Sequence, residues 1–412
     1  MAPATHPQTD EDWQARIYDA IDAFSPGAPI DDLNLLAGRA KQIDQMLDAV
    51  LQRGQHAILY GERGVGKSSL ANTFSTKLIG PTRTRSCIHI NCDPSDNFTR
   101  LCRKIFRRLT SNGENLGDKY INDIYPDDLV YELSEFPLNT FPIIILDEFD
   151  KLTEGETPTF IANTIKHLSD RSIRTTIIIV GVADSVDGLI KEHGSISRCL
   201  RQIRMERMSP AELREIVDDR LPSLAMSIHQ DAMAHLVALS RGLPHYAHLF
   251  GQQAAKKALE HRRLVIDIKH IEQALPVCME QTDQSVRAQY HWATTSPRSG
   301  NIYKQVLLAA ALSQVDEFGY FHPVALQNPL GSLLNRDVKV SLFGQHLKKL
   351  CQEDRGSVLE QTGSERKYIY RFVEPMMQPF ILMYGLKNGL ITREQVSELA
   401  ASHYEPRLSS EF

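Results

Sequence analysis

Eight consecutive residues limit what this chain can fold into more than any others. Gly61-Glu62-Arg63-Gly64-Val65-Gly66-Lys67-Ser68 fits G-x-x-x-x-G-K-[ST] in full. The stretch lies between a short apolar run, His56 to Tyr60, and a helical pattern that starts at about Lys67. Strand, glycine-rich loop and helix in that order form a phosphate cradle. Glycines let main-chain N–H groups wrap the phosphates, a lysine reaches the β and γ oxygens, and a hydroxyl is left for Mg²⁺. The candidate nucleotide-binding loop is therefore Gly61, Glu62, Arg63, Gly64, Val65, Gly66, Lys67, Ser68 and Ser69, with Ser68 as a metal ligand.

A second pattern supplies carboxylates. Pro142-Ile143-Ile144-Ile145-Leu146-Asp147-Glu148 places Asp147 and Glu148 at the C-terminal end of a buried strand, where open α/β sheets bind ligands. Asp147 is the expected Mg²⁺ ligand, and Glu148 is expected to orient or deprotonate an attacking water.

Further apolar, β-branched runs at 87–90 and 175–182 alternate with helical patterns at 97–110 and 159–170. This alternation predicts an α/β parallel sheet with helices on both faces, over about 34–205. Residues 1–33 read as an arm with an amphipathic stretch at 13–24. Four helices over 206–280 read as a helical lid, opened by Ser209-Pro210 with Glu212 as a capping signal. Residues 281–300 read as a linker. From 301 to 412, helices at 302–312 and 340–351 precede strands at 356–359 and 368–372, the order of a winged helix, followed by a C-terminal helical extension.

Composition narrows the setting. With 46 Lys+Arg against 51 Asp+Glu, the net charge of -5 excludes a bulk-charge coat for nucleic acid. No apolar run approaches the roughly 20 residues of a membrane span, and no secretory leader pattern precedes Asp12, so a cytoplasmic protein is expected. Six cysteines without a C-x-x-C pair read as reduced core residues.

Together the motifs resemble the AAA+ ATPases, and more narrowly the origin-recognition-complex-like initiators, with features of signal-transduction ATPases with numerous domains. The resemblance covers about residues 34–375. It implies a P-loop NTPase sheet with a helical lid and a winged helix, ATP and Mg²⁺ as cofactors, and a homo-oligomer with an arginine finger acting in trans. Leu36-Ala37-Gly38-Arg39 is similar to the box near the adenine, so Gly38 and Arg39 are cofactor-binding candidates. Asp184, after the strand 177–180, takes the place of the family's polar sensor. Arg198 matches the finger position, with Arg201 in reserve. Pro244 and His245, in Gly242-Leu243-Pro244-His245, fall where the family's second sensor lies, although relatives usually carry Arg there.

DNA is the partner the resemblance implies, through Lys348, Lys349, Arg366, Lys367 and Arg371 of the winged helix. Glu353, Asp354, Glu360 and Glu365 nearly balance that charge, which leaves open a partner effector protein. The helix at 97–110 adds a basic face of Arg100, Arg103, Lys104, Arg107 and Arg108. An initiator-like ATP switch on DNA is the leading expectation. A signalling or anti-phage defence ATPase, or a transposon target-selection ATPase, are the alternatives.

Overall fold

The computed structural model describes residues 9–27, 37–78, 86–111, 114–116, 119–136, 141–152, 155–190, 193–296, 300–316, 318–364 and 367–402. It comprises two compact units, Pro29–Glu206 and a second that joins Met1–Ala28 to Arg207–Phe412. The chain enters through α1 (Asp10–Ala23). A capping box fixes its start, with the Thr9 hydroxyl accepting from the Asp12 N–H and the Asp12 carboxylate accepting from the Thr9 N–H.

The first unit runs α2 (Ala40–Leu51), β1 (His56–Gly61), α3 (Lys67–Leu78), β2 (Ser86–Asn91), α4 (Phe98–Phe106), β3 (Thr110–Ser111), β4 (Glu114–Asn115), α5 (Pro126–Ser134), β5 (Pro142–Asp147), α6 (Thr157–Asp170), β6 (Thr176–Val182), α7 (His193–Ile196) and β7 (Leu200–Met205). Five of these strands form one parallel sheet in the order β2-β5-β6-β1-β7. This is a P-loop NTPase sheet. β5 is buried along its whole length because helices cover both faces, which is why its sequence is a continuous apolar run.

β7 has no counterpart among the strands expected from sequence. It lies at the sheet edge, and its buried Leu200, Ile203 and Met205 are separated by exposed Arg201 and Gln202, so no apolar run marks it. α4 stops at Phe106, short of the expected 110, and the chain turns into the β3–β4 ladder instead.

The second unit continues from α1 with α8 (Pro210–Asp218), β8 (Ser227–Ile228), α9 (Gln230–Ser240), α10 (Pro244–Glu260), β9 (Val265–Ile266), α11 (Ile268–Gln281), α12 (Gln284–Thr294), α13 (Tyr303–Leu312), α14 (Gln327–Leu334), α15 (Val340–Leu350), β10 (Leu359–Thr362), β11 (Ile369–Phe372), α16 (Met377–Lys387) and α17 (Arg393–Ser402). Ser209 caps α8 as its sequence predicts. The arm helix is packed, not trailing. Phe24 fills the notch at Gly251 of α10, where a Cβ would stand 2.4 Å from the ring. Gln252 Nε2 donates to the carbonyls of Ile21 and Phe24 at 3.0 and 3.1 Å.

The stretch expected as a linker contains α12, which buries Val286, Tyr290 and Ala293 at helical spacing. Those three residues were hidden in a polar background. The first hairpin strand begins at Leu359, not at Gly356, because Gly356 (φ 72) and Ser357 (φ 44) take left-handed backbone after a tight turn. Phe321 bridges Tyr370, so α13, this bridge, α14, α15 and the β10–β11 hairpin follow one another along the chain. Among the described residues, no helix is long and apolar enough to cross a membrane.

Candidate nucleotide-binding site

The loop after β1 is shaped by close approach. A Cβ at Gly61 would lie 2.2 Å from the carbonyl oxygen of Met205, so only glycine fits. Gly64 (φ 83) and Gly66 (φ 92) adopt the left-handed backbone that turns successive N–H groups toward one concavity. Val65 is fully buried beneath the crest. Buried Arg39 donates to the Val65 carbonyl at 3.0 Å and to the Glu206 carbonyl at 2.9 Å, which clamps the loop to the chain leaving β7.

Lys67 starts α3 from inside this loop. Its Nζ donates to the carbonyls of Gly61 and Glu62 at 3.0 and 2.8 Å. Burial pushes the ammonium down to about 8, against the pull of Asp150, Asp147 and Glu62. A phosphate chain in the loop would favour the charged form further.

Asp147 ends β5 and is 5% exposed. Burial works against its ionisation, but hydrogen bonds from His89, from the Ser68 hydroxyl and from the Glu148 N–H outweigh it and hold the carboxyl below its ordinary value. The Glu148 N–H reaches Asp147 Oδ1 at 2.8 Å. Glu148 itself takes a left-handed backbone (φ 57), a strained choice for a residue with a side chain. Its carboxylate is half exposed and accepts from Lys151 Nζ at 2.6 Å. Ser68, Asp147 and Glu148 share one cleft with His89, Lys104 and Arg107.

Comparison with known proteins supports the resemblance over part of the chain. Residues 50–190 match the family model of an AAA domain. The ORC1-type DNA replication protein 2 of Thermoplasma acidophilum is 26% identical over 243 residues, 56% of this chain and 56% of its own length. The ORC1-type DNA replication protein of Thermoplasma volcanium is 23% identical over 292 residues, 67% and 68% of the two chains. The solved ORC2 protein of Aeropyrum pernix, in ADPNP and ADP complexes, superposes with a TM-score of 0.52 at 14% identity, over 92% of this chain and 96% of its own. Residues 50–190 are similar to AAA domains, and the chain resembles the origin-recognition-complex-like initiators. It spans 56% of the first relative's length.

Of the sequence-predicted site residues, Ser68, Asp147 and Glu148 line the cleft, and Asp184, Arg198 and Arg201 do not. Asp184 is exposed after β6 and is not among the described residues that line it. The end of β6 is nevertheless tied to the turn that follows the site's strand, because Asp150 Oδ1 accepts from the Val182 N–H at 2.8 Å. Arg198 is 75% exposed and pairs with Asp170, while Arg201 on β7 is 4.0 Å from Asp48. Leu36 and Glu192 lie outside the described residues.

Pro244 and His245 open α10 in the second unit. His245 Nδ1 donates to the Pro26 carbonyl at 2.7 Å, and burial lowers its pKa against the pull of that carbonyl, so the ring is neutral near pH 7. The basic face of α4 is also engaged locally. Arg100 donates to the Ser95 carbonyl at 2.6 Å, Arg103 to the carbonyls of Ile121 and Asn122 at 3.1 and 3.2 Å, and Lys104 pairs with Asp96.

Sequence reading did not single out His89. Its signal was the alternation of buried Ile88 and Ile90 with His89 and Asn91 on β2. In a strand covered on both faces, two polar residues at a spacing of two mark the side that faces a site.

Proposed function

We propose that this protein is an ATP-dependent switch that binds ATP with Mg²⁺, hydrolyses it slowly and assembles in the cytoplasm as an oligomer on DNA, in the manner of an initiator. The observation that carries the reading is that Ser68, the residue after Lys67 of the glycine-rich loop, shares one cleft with Asp147 and Glu148. The names of the two Thermoplasma relatives, both DNA replication proteins, support the DNA part.

The donor set fits a small hard cation, since the Ser68 hydroxyl and the Asp147 carboxylate are oxygen ligands already hydrogen-bonded to each other. When bound, Mg²⁺ would neutralise charge on the β and γ oxygens. Gly64, Gly66 and Lys67 would hold the phosphates, with Arg39 keeping the loop in place. Glu148 would accept a proton from the attacking water or orient it, after release from Lys151. Arg198, exposed and held only at the surface, suits a finger offered to a neighbouring subunit. ATP at that interface would favour the assembled state, and ADP would release it.

On the winged helix, α15 exposes Ser341, Leu342, Gln345, Lys348 and Lys349 on one face, a surface suited to a groove of duplex DNA. One observation favours a second reading, a partner effector protein. Arg371 pairs with Glu360 and stacks on Tyr320, so this cation of the hairpin is already occupied.

Gel shift of duplex DNA at low salt, with and without ATP, tests the proposal. An ATP-dependent shift is expected. Its absence at low salt, with ATP bound, would remove the initiator reading and leave the protein-contact one. Mixing Arg198→Ala with Glu148→Gln subunits should partly restore hydrolysis that neither supports alone; no restoration would exclude Arg198 as a finger in trans.

A further inference from the structure

β2 is the edge strand of the sheet, paired in parallel with β5 so that Asn91 stands opposite Asp147 and His89 opposite Ile145. Residues two apart share a face, so His89 and Asn91 lie on the side that Asp147 faces. The contact follows from this register, with His89 Nε2 3.3 Å from Asp147 Oδ2. An ionised carboxylate only accepts, so Nε2 carries the hydrogen and donates. The main chain at His89 is fixed as well, because the Arg108 guanidinium of the segment after α4 donates to the His89 carbonyl. His89 is therefore held at its backbone from one side and holds Asp147 with its ring on the other.

Each oxygen of Asp147 now has a donor. Oδ1 takes the Glu148 N–H and Oδ2 takes the His89 ring. A carboxylate held at both oxygens cannot rotate away from the Ser68 hydroxyl, and a metal ligand that is already oriented loses less freedom when the ion arrives. We propose that His89 is a positioning residue that orients Asp147 for Mg²⁺ and so sets how strongly Mg²⁺ tightens nucleotide binding. This rests on the reading of Asp147 as the metal ligand. His89 touches neither phosphate nor water in this role and acts only through Asp147.

The test is a titration of the full chain with a fluorescent ADP analogue over a range of MgCl₂ concentrations and in EDTA. His89→Ala should raise the Mg²⁺ concentration at half effect on the order of tenfold, the lower end of what outer-sphere partners contribute at metal sites. Affinity in EDTA should stay within about twofold, since the phosphate loop is untouched. His89→Gln, which keeps a neutral N–H donor of similar reach, should recover most of the loss. In the Asp147→Asn background, His89→Ala should add nothing, because the group it orients is gone.

An unchanged Mg²⁺ midpoint in His89→Ala would overturn the inference. So would an equal loss of affinity with and without Mg²⁺ that His89→Gln fails to rescue, since that describes a purely structural histidine. If Asp147→Asn leaves the Mg²⁺ dependence intact, the assignment of the metal ligand fails first. If Asp147→Asn removes that dependence and His89→Ala does not, only the positioning role fails.

Discussion

The candidate nucleotide site and the residues that charge singles out in the helical unit hold their polar groups in different ways. In the sheet unit, Lys67, Asp147 and Arg39 are nearly or fully buried, and each is held by main-chain atoms or by another member of the same site. In the helical unit, His245 is engaged with Pro26, Arg371 with Glu360 and Tyr320, and Lys349 with Asp354, so the residues that drew attention by charge have separate local partners. Burial explains the contrast. A buried charge has to be matched group by group, whereas an exposed one finds whichever partner is near.

The largest expected effect separates a site residue of each kind. Glu148→Gln should bind nucleotide as the wild type does and lose about 10²- to 10⁴-fold in hydrolysis rate, the usual worth of a general base. His245→Ala should change the rate by no more than about twofold, since a neutral ring hydrogen-bonded to Pro26 has no charge to offer a γ-phosphate. Single-turnover hydrolysis of both variants checks the pair. A loss in His245→Ala comparable to that in Glu148→Gln would break the contrast, and would make His245 part of the site despite its partner.

What the sequence revealed follows the same line. The loop at Gly61 to Ser68 was legible because each residue answers a backbone need: Gly61 has no room for a Cβ, and Gly64 and Gly66 need positive φ. β5 was legible because burial on both faces leaves only apolar residues before Asp147. β7 and α12 were not, since an edge strand and a half-exposed helix each bury only three scattered side chains. His89 was missed for a different reason. Its role depends on the register between β2 and β5, and pairing of strands more than 50 residues apart leaves no local trace. The charges of α4 and the hairpin were legible as composition only. Which carbonyl or carboxylate would take each of them was not.

Acid should divide the units next. His56 in the sheet unit is pushed down to about 3 by burial, with Nδ1 accepting from the Ile177 N–H. In the helical unit, burial pushes His248 to about 3 and His235 to about 4. Unfolded histidine protonates near 6.5, so between that value and the folded ones the unfolded state binds more protons. The stability contributed by these neutral rings is complete above about pH 6.5 and falls as pH drops, by about 1.4 kcal/mol per pH unit for each ring. Burial also lowers His245, His270 and His346 in the helical unit, so with more such rings that unit should unfold first. Both tryptophans, Trp13 and Trp292, belong to it, so their fluorescence should change at a higher pH than the circular dichroism of the sheet. A single transition in both signals would mean that the units unfold together.

Arg39→Ala should cost less. It removes two charge-assisted hydrogen bonds, one to the buried Val65 carbonyl and one to the part-buried Glu206 carbonyl, worth about 2–3 kcal/mol in stability, and it frees the crest of the phosphate loop. Thermal unfolding with and without a nucleotide analogue separates the two consequences. If Arg39 only touched the base, melting without nucleotide would be unchanged and only the ligand-induced shift would shrink.

The smallest effect is the most informative about DNA. Lys348 and Lys349 project from the exposed face of α15, where Lys349 meets the exposed Asp354 at 3.7 Å, whereas Arg371 is 16% exposed and committed to Glu360. Every lysine that no longer neutralises a phosphate should reduce the slope of log affinity against log salt by about one. Lys348→Ala with Lys349→Ala should therefore flatten the slope by about two, while Arg371→Ala should leave it unchanged and loosen the hairpin by no more than about 1 kcal/mol. Filter binding at several salt concentrations resolves such a difference even where total affinity is modest. Equal flattening by Arg371→Ala would mean that its pairing with Glu360 yields to a phosphate when DNA arrives. The hairpin would then be a DNA-binding wing after all, and local pairing would be a poor guide to what an exposed charge does once a polyanion is present.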